Sequence, residues 1–227
     1  MKERDFTNNG FYRFSVFFWN MVLSNLFLLI TNIPVIIVLL MAPKMNIWYF
    51  QLSLSFALIL GAPGLTALYS LMNKLIKDKY IRVVKDYFKS YKESFGQSLL
   101  LGGLIIVFMN ILYLDILMFR SSGFSGLNYI FIGLICFLAL LTTYVYPIIG
   151  SFNLKGKDIL ALSVYYGIKR IPFTLLNGAI FIALGFVILN ISIFISLIGF
   201  SLACYTIMLY QRKMLIKIEE SLEEGRQ

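Results

Sequence analysis

The chain has 227 residues, of which 59% are hydrophobic and 14% charged, with no histidine and a formal net charge of +9. A soluble domain carries about 25% charged residues, so this is not the composition of a water-soluble globule. The missing histidine excludes a His-based triad, a His metal site and an HExxH zinc site.

Several apolar blocks exceed the roughly 20 residues that a helix needs to cross a bilayer. Together they predict an all-α, polytopic transmembrane helical bundle of about six spans, forming a single integral membrane domain over residues 1–227. After a polar arm, span 1 is expected at 16–41. It starts too late and runs too long for a signal-peptide core. Inside it, Thr31-Asn32-Ile33-Pro34 predicts a break, because Pro34 lacks the N–H that a helix interior requires.

Span 2 is expected at 47–72 and contains Gly61-Ala62-Pro63-Gly64, followed by Thr66. Pro63 deprives the Ile59 carbonyl of its helical donor, the glycines allow a bend, and Thr66 can satisfy a local carbonyl. Pro34, Gly61, Pro63, Gly64 and Thr66 are therefore the hinge or kink candidates. They form either a packed kink or a discontinuous-helix binding site.

The loop after span 2 places Val84, Tyr87, Phe88, Tyr91 and Phe95 at spacings of three and four, with lysines mainly between them. This predicts a basic amphipathic helix over 81–95 lying along the cytoplasmic membrane surface. Its aromatic face either packs under the bundle or serves as a partner-binding surface. The docking candidates are Tyr87, Phe88, Tyr91 and Phe95.

Span 3 is expected at 97–119. It holds Asp115, the only acidic residue within a predicted span. An intramembrane carboxylate raises the question of a substrate path, but Asp115 lies near the outer end and can reach headgroups, Lys44 or Arg120. Span 4 follows at 127–150. A second amphipathic interfacial helix is expected over about 159–169, with Asp158 as its cap and Pro172 as its end. Span 2, amphipathic helix and span 3 thus repeat in outline as span 4, amphipathic helix and span 5. The final apolar stretch, 172–210, is about twice the bilayer thickness if helical. It is read as two spans, 173–189 and 193–211, turning near Asn190–Ser192.

Eighteen of the 20 basic residues fall on the side holding both termini and the two amphipathic loops. By the positive-inside rule that side is cytoplasmic. The positive charge then orients the chain and meets anionic lipid, and no nucleic acid is expected as a partner. Cys136 and Cys204 both lie in apolar blocks, and no disulfide is expected. No cofactor, metal or catalytic residue is indicated.

The stretch GAPGLTALYSLMNKLIKDKYIRVVKDYFKSYKESFGQ, residues 61–97, resembles the signature region of the YesL family of bacterial membrane proteins. Asn25, Ile33-Pro34 and Tyr144-Val145-Tyr146-Pro147 fit the same pattern. A T-x-G expected after the span 1 proline is missing. The resemblance implies a domain of unknown function in Gram-positive bacteria, typically encoded beside carbohydrate ABC importers. The expected function is then a non-enzymatic accessory protein bound to an importer's membrane subunits, aiding sugar uptake or transporter assembly. The alternative is a small stand-alone permease or channel, with Pro34, Pro63 and Asp115 lining its path. A transporter calls for a polar path near the midplane built from broken helices; an accessory protein does not.

Overall fold

In the computed structural model, residues 10–78, 81–120, 125–190 and 195–224 are described, apart from the side chains of Arg120 and Ser125. The described residues form helices α1 (Gly10–Thr31), α2 (Ile33–Met41), α3 (Ile47–Lys77), α4 (Val83–Arg120), α5 (Ser125–Ser151), α6 (Gly156–Lys169), α7 (Ile171–Asn190) and α8 (Ser196–Glu224), with one 3-10 turn at Ala42–Lys44. No strand occurs among them. Five helices, α1, α3, α4, α5 and α7, are long and apolar enough to cross a membrane. The chain is an all-α polytopic helical bundle.

Local chemistry explains the helix ends. Asn46 caps α3, its side chain accepting from the Trp48 amide at 3.2 Å. Asp86 reaches back across the first turn of α4, accepting from the Arg82 amide at 3.0 Å and from Lys74 Nζ at 3.0 Å. The predicted break in span 1 is present. Asn32 sits at φ −105°, ψ 19°, and Pro34 falls in the first turn of α2, where its missing N–H costs nothing.

α3 and α4 form an antiparallel hairpin that is the spine of the bundle. From one end upward, its rungs are Lys74–Asp86, Ser70–Ser90 at 2.9 Å, Thr66–Ser98 at 2.8 Å and Ser55–Asn110 at 3.2 Å. α5 closes on this hairpin through Gly150, where an added Cβ would lie 2.9 Å from the Thr66 carbonyl oxygen. α8 threads beside α1, α5 and α3. The side chain of Asn25 accepts from Ser201 N at 3.2 Å, Gln211 donates to the Thr143 carbonyl at 2.8 Å, and Lys77 pairs with Glu219 at 3.3 Å. These pairings bring the α3–α4 link, the start of α6 and the basic part of α8 to one end, which we call the basic end.

The core is uneven. Beyond Ile105, α4 has no buried residue; nor has α5 before Leu141, α7 after Asn177, or α3 before Ala57. α2 buries nothing at all. The half of the bundle toward the basic end is therefore packed, while the outer half is mostly apolar side chains facing outward.

Several expectations are corrected. The 81–95 stretch is helical from Val83, but it runs without interruption into predicted span 97–119 as one 38-residue helix. It is thus the basic-end portion of a span, because nothing between Phe95 and Leu101 stops a helix. The proposed repeat is correspondingly weak: the first unit has a fused helix, the second a separate α6. Asp158 does not cap α6. The N-cap is Lys155, without a side-chain bond, and Asp158 lies in the first turn, where a carboxylate suits the helix dipole. The 39-residue stretch is divided, with α7 ending at Asn190 and α8 starting at Ser196. The expected turn at Asn190–Ser192 and the start of the sixth span fall largely outside the described residues. α8 overruns position 211 because its later residues Met214, Leu215 and Ile218 are buried too.

Candidate functional site

Most of the hinge candidates and one aromatic candidate converge on a single place, the contact between the α1–α2 break and the small-residue segment of α3. An added Cβ at Gly61 would overlap Asn32 Oδ1, and one at Gly64 would overlap Thr31 Oγ1 and lie 2.8 Å from Asn32 Nδ2. The glycines are thus seats for the two polar side chains of the break. Asn32 Nδ2 donates to the Leu28 carbonyl at 3.0 Å, and Thr31 Oγ1 bonds the carbonyls of Phe27 and Leu28, both at 3.0 Å. α3 runs unbroken through Pro63. Thr66 Oγ1 donates to the Ala62 carbonyl at 3.1 Å and accepts from Ser98.

Tyr87 locks this junction from α4. Its ring is fully buried, 5.6 Å from Phe27 and 5.7 Å from Phe88 between centroids. Its hydroxyl lies 2.9 Å from Thr31 Oγ1 and donates to the Gly64 carbonyl at 3.2 Å. One phenol therefore ties the break in span 1, the glycine segment of α3 and the start of α4. This removes Tyr87 from the docking candidates, since a side chain with no exposed surface cannot meet a partner. Tyr91 is half-buried between Tyr87 and Phe95. Phe88 and Phe95 are 45% and 39% exposed, and with Val84 at 50% they form the part of the stripe that faces outward.

The helix spacing that arranged the aromatics hid a second stripe. Ser90, Ser94 and Ser98 recur every four residues on the buried face of α4, opposite Thr66 and Ser70 of α3. Their small hydroxyls let the two helices approach closely, as at Gly102, where a Cβ would lie 2.9 Å from that of Ala62. Asn25, noted only for the family pattern, is fully buried. Besides Ser201 it bonds the Ser196 carbonyl, tying α1 to α8.

Asp115 stands apart from the junction. It is half-buried in the outer half of α4 and makes no ion pair with Lys44 or any other described residue. The intramembrane polar group that is organised lies nearby, where Asn110 bonds Gln51 at 3.0 Å and Ser55 at 3.0 Å. It forms the floor of a hydrocarbon-walled groove of about 340 Å³ between α3 and α4. No group of three or more His, Cys, Asp or Glu residues able to hold a metal occurs among the described residues.

The comparisons with known proteins point the same way as the 61–97 stretch. The family described as "Protein of unknown function, DUF624" matches residues 20–116, which include the α1–α2 break, the α3 glycines and Tyr87. The chain is 25% identical to "Uncharacterized protein YteU" of Bacillus subtilis over 77% of its own length and 80% of that protein's. It is 22% identical to "Uncharacterized protein YesL" of the same organism, over 60% of this chain and 66% of the relative. No solved structure matches the chain at a significant level. The resemblance read from residues 61–97 therefore holds: the chain carries the DUF624 family match and is a homologue of YesL and YteU.

Proposed function

We propose that the protein is a non-enzymatic membrane accessory protein that docks on the membrane subunits of a carbohydrate ABC importer, with both termini in the cytoplasm. The observation that carries the accessory part is the plugged junction. Broken helices create transport sites when freed backbone groups line a cavity near the midplane. Here Thr31 and Asn32 fill the space beside Gly61 and Gly64, and Tyr87 closes it from a third helix. In the outer half, Gln51, Ser55 and Asn110 bond one another rather than lead to the junction, and Asp115 stands apart from it. The stand-alone permease reading thus has no support among the described residues.

The importer as partner rests on the family resemblance. The surfaces available to it are the outward Val84–Phe88–Phe95 stripe and the thinly packed outer halves of α4 and α5. Large aromatic side chains are frequent anchors at interfaces. Native membranes carrying a tagged chain, solubilised mildly, should yield importer membrane subunits by mass spectrometry. Phe88→Ala with Phe95→Ala should reduce that recovery at unchanged yield of the bait. If the wild type recovers no transporter subunit, and reconstituted vesicles of the chain alone move a sugar, the accessory reading fails.

A further inference from the structure

At the basic end, α3, α4 and α5 separate around a cavity of about 480 Å³, large enough for a small organic molecule. Ser70, Ser90 and Ser94 wall it, each more than nine-tenths buried, and Glu93, Gln97, Ser151 and Asn153 complete the polar lining. Most of the serine hydroxyls are already committed. Ser70 and Ser90 bond each other at 2.9 Å, and Ser94 donates to the Ser90 carbonyl at 2.7 Å. The Gln97 amide donates to the Leu154 carbonyl at 2.6 Å, which leaves its own oxygen available.

The remaining wall is the end of α5. Its last backbone bond runs from the Phe152 amide to the Ile148 carbonyl at 3.0 Å. The next three carbonyls, of Ile149, Gly150 and Ser151, have no backbone donor among the described residues. A helix C-terminus carries partial negative charge on such groups. Gly150 holds this end against α3, where no side chain would fit. Glu93 adds a full negative charge. Among the described residues its only ion pair is with Lys89 at 3.9 Å, with both side chains more than half exposed.

No Lys or Arg lines the cavity, although the surrounding end holds nearly all the described basic residues. The wall is therefore rich in acceptors and negative in a positive neighbourhood. An anion would find no cation there, and a neutral polyol could donate to these acceptors but would leave the negative charge uncompensated. A bare metal ion is far smaller than the space. The geometry points to a binding site for a small organic cation with several N–H donors, a primary ammonium or guanidinium compound. Its charged head lies between the Glu93 carboxylate and the carbonyl end of α5, with Gln97 Oε1 accepting a further bond. This site is separate from the docking surfaces and stands independently of the importer reading.

The test uses the full chain in nanodiscs of zwitterionic lipid, so that anionic headgroups do not compete for amines. Putrescine and methylguanidine are the probes, with glucose, inorganic phosphate and magnesium chloride as comparison ligands, and binding is measured by equilibrium dialysis and calorimetry. Saturable binding of at least one cationic probe is expected, with none of the comparison ligands. Glu93→Gln should weaken it about tenfold, the loss of one charge-assisted hydrogen bond. Gln97→Leu should weaken it less. Circular dichroism checks that both variants remain folded; Glu93 is exposed enough that its variant has little reason to unfold. Absence of saturable binding by both cationic probes overturns the proposal. So does equal binding of glucose, phosphate or magnesium, and so does affinity unchanged by Glu93→Gln.

Discussion

Replacing Tyr87 by Phe removes one oxygen from the centre of the junction and nothing else. The hydroxyl bonds Thr31 Oγ1 at 2.9 Å and the Gly64 carbonyl at 3.2 Å. Neither partner is left wholly bare. Gly64 lies within the α3 ladder, and Thr31 keeps its bonds to Phe27 and Leu28. With one proton on each hydroxyl, Thr31 turns back to those carbonyls, and the net loss is about one hydrogen bond without a stranded buried group. Such bonds contribute about 0.5–1.5 kcal/mol each in water and average about 0.6 in a membrane bundle. Tyr87→Phe should cost about 0.5–1.5 kcal/mol. Tyr87→Ala also deletes a fully buried ring packed on Phe27, Phe88 and Tyr91, and should cost about 3–5 kcal/mol. Phe88→Ala, at a side chain 45% exposed, should cost clearly less than Tyr87→Ala. Reversible unfolding by SDS in mixed micelles, followed by circular dichroism, gives the three values. If Tyr87→Phe is neutral and Tyr87→Ala costs no more than Phe88→Ala, the hydroxyl does not clamp the junction and the argument for a plugged break collapses.

Gly64→Ala should destabilise by about 1–3 kcal/mol in the same assay, since its Cβ must displace Thr31 and Asn32. Gly133→Ala should be neutral or stabilising by up to about 1 kcal/mol, because that helical glycine has nothing within 4 Å and gains helix propensity. Asn25→Leu should cost about 2–4 kcal/mol, as it removes three bonds between α1 and α8 and strands buried groups on Ser201. For orientation, exposed Cys136 is first changed to Ser. In intact cells, Gly123→Cys should then react with an impermeant maleimide and Leu160→Cys should not; the reverse pattern inverts the topology.

The helices and the break at Asn32 were legible because they depend on local physics. Apolar run length set the spans, and proline's missing N–H set the start of α2. The Gly61–Gly64 segment was legible as a place of close approach, but its occupant was not. Asn32 is 29 positions away along the chain, and a spacing argument looks only along one helix. Tyr87 shows the same limit more sharply. The three-and-four spacing correctly placed Tyr87 and Phe88 near one helical face, yet one ring is buried and its neighbour is 45% exposed. Periodicity in a membrane protein separates faces, and it does not say which face meets protein and which meets lipid, because lipid is as apolar as a core. The serine stripe at 90, 94 and 98 was the missed cue, since hydroxyls at four-residue intervals in a span have reason to face another helix.

The uneven core gives these observations a common physical setting. Where helices pack in hydrocarbon they do so through close approach and hydrogen bonds, since burial from water supplies no drive between them. In this chain those devices are concentrated toward the basic end and the middle of the bundle: Gly61, Gly64, Gly102 and Gly150 at close contacts, and the bonds of Thr31, Thr66, Ser70, Tyr87 and Thr143. The outer stretches of α4, α5 and α7 carry chiefly exposed Leu, Ile, Val and Phe. Among the described residues the organised polar group there, Gln51–Asn110–Ser55, joins only α3 to α4. A bundle built this way holds its shape from one side and leaves the lateral faces of the other to whatever surrounds it. That division suits the accessory role proposed above, since a docking face can be occupied without opening the junction that keeps α1, α2, α3 and α4 together.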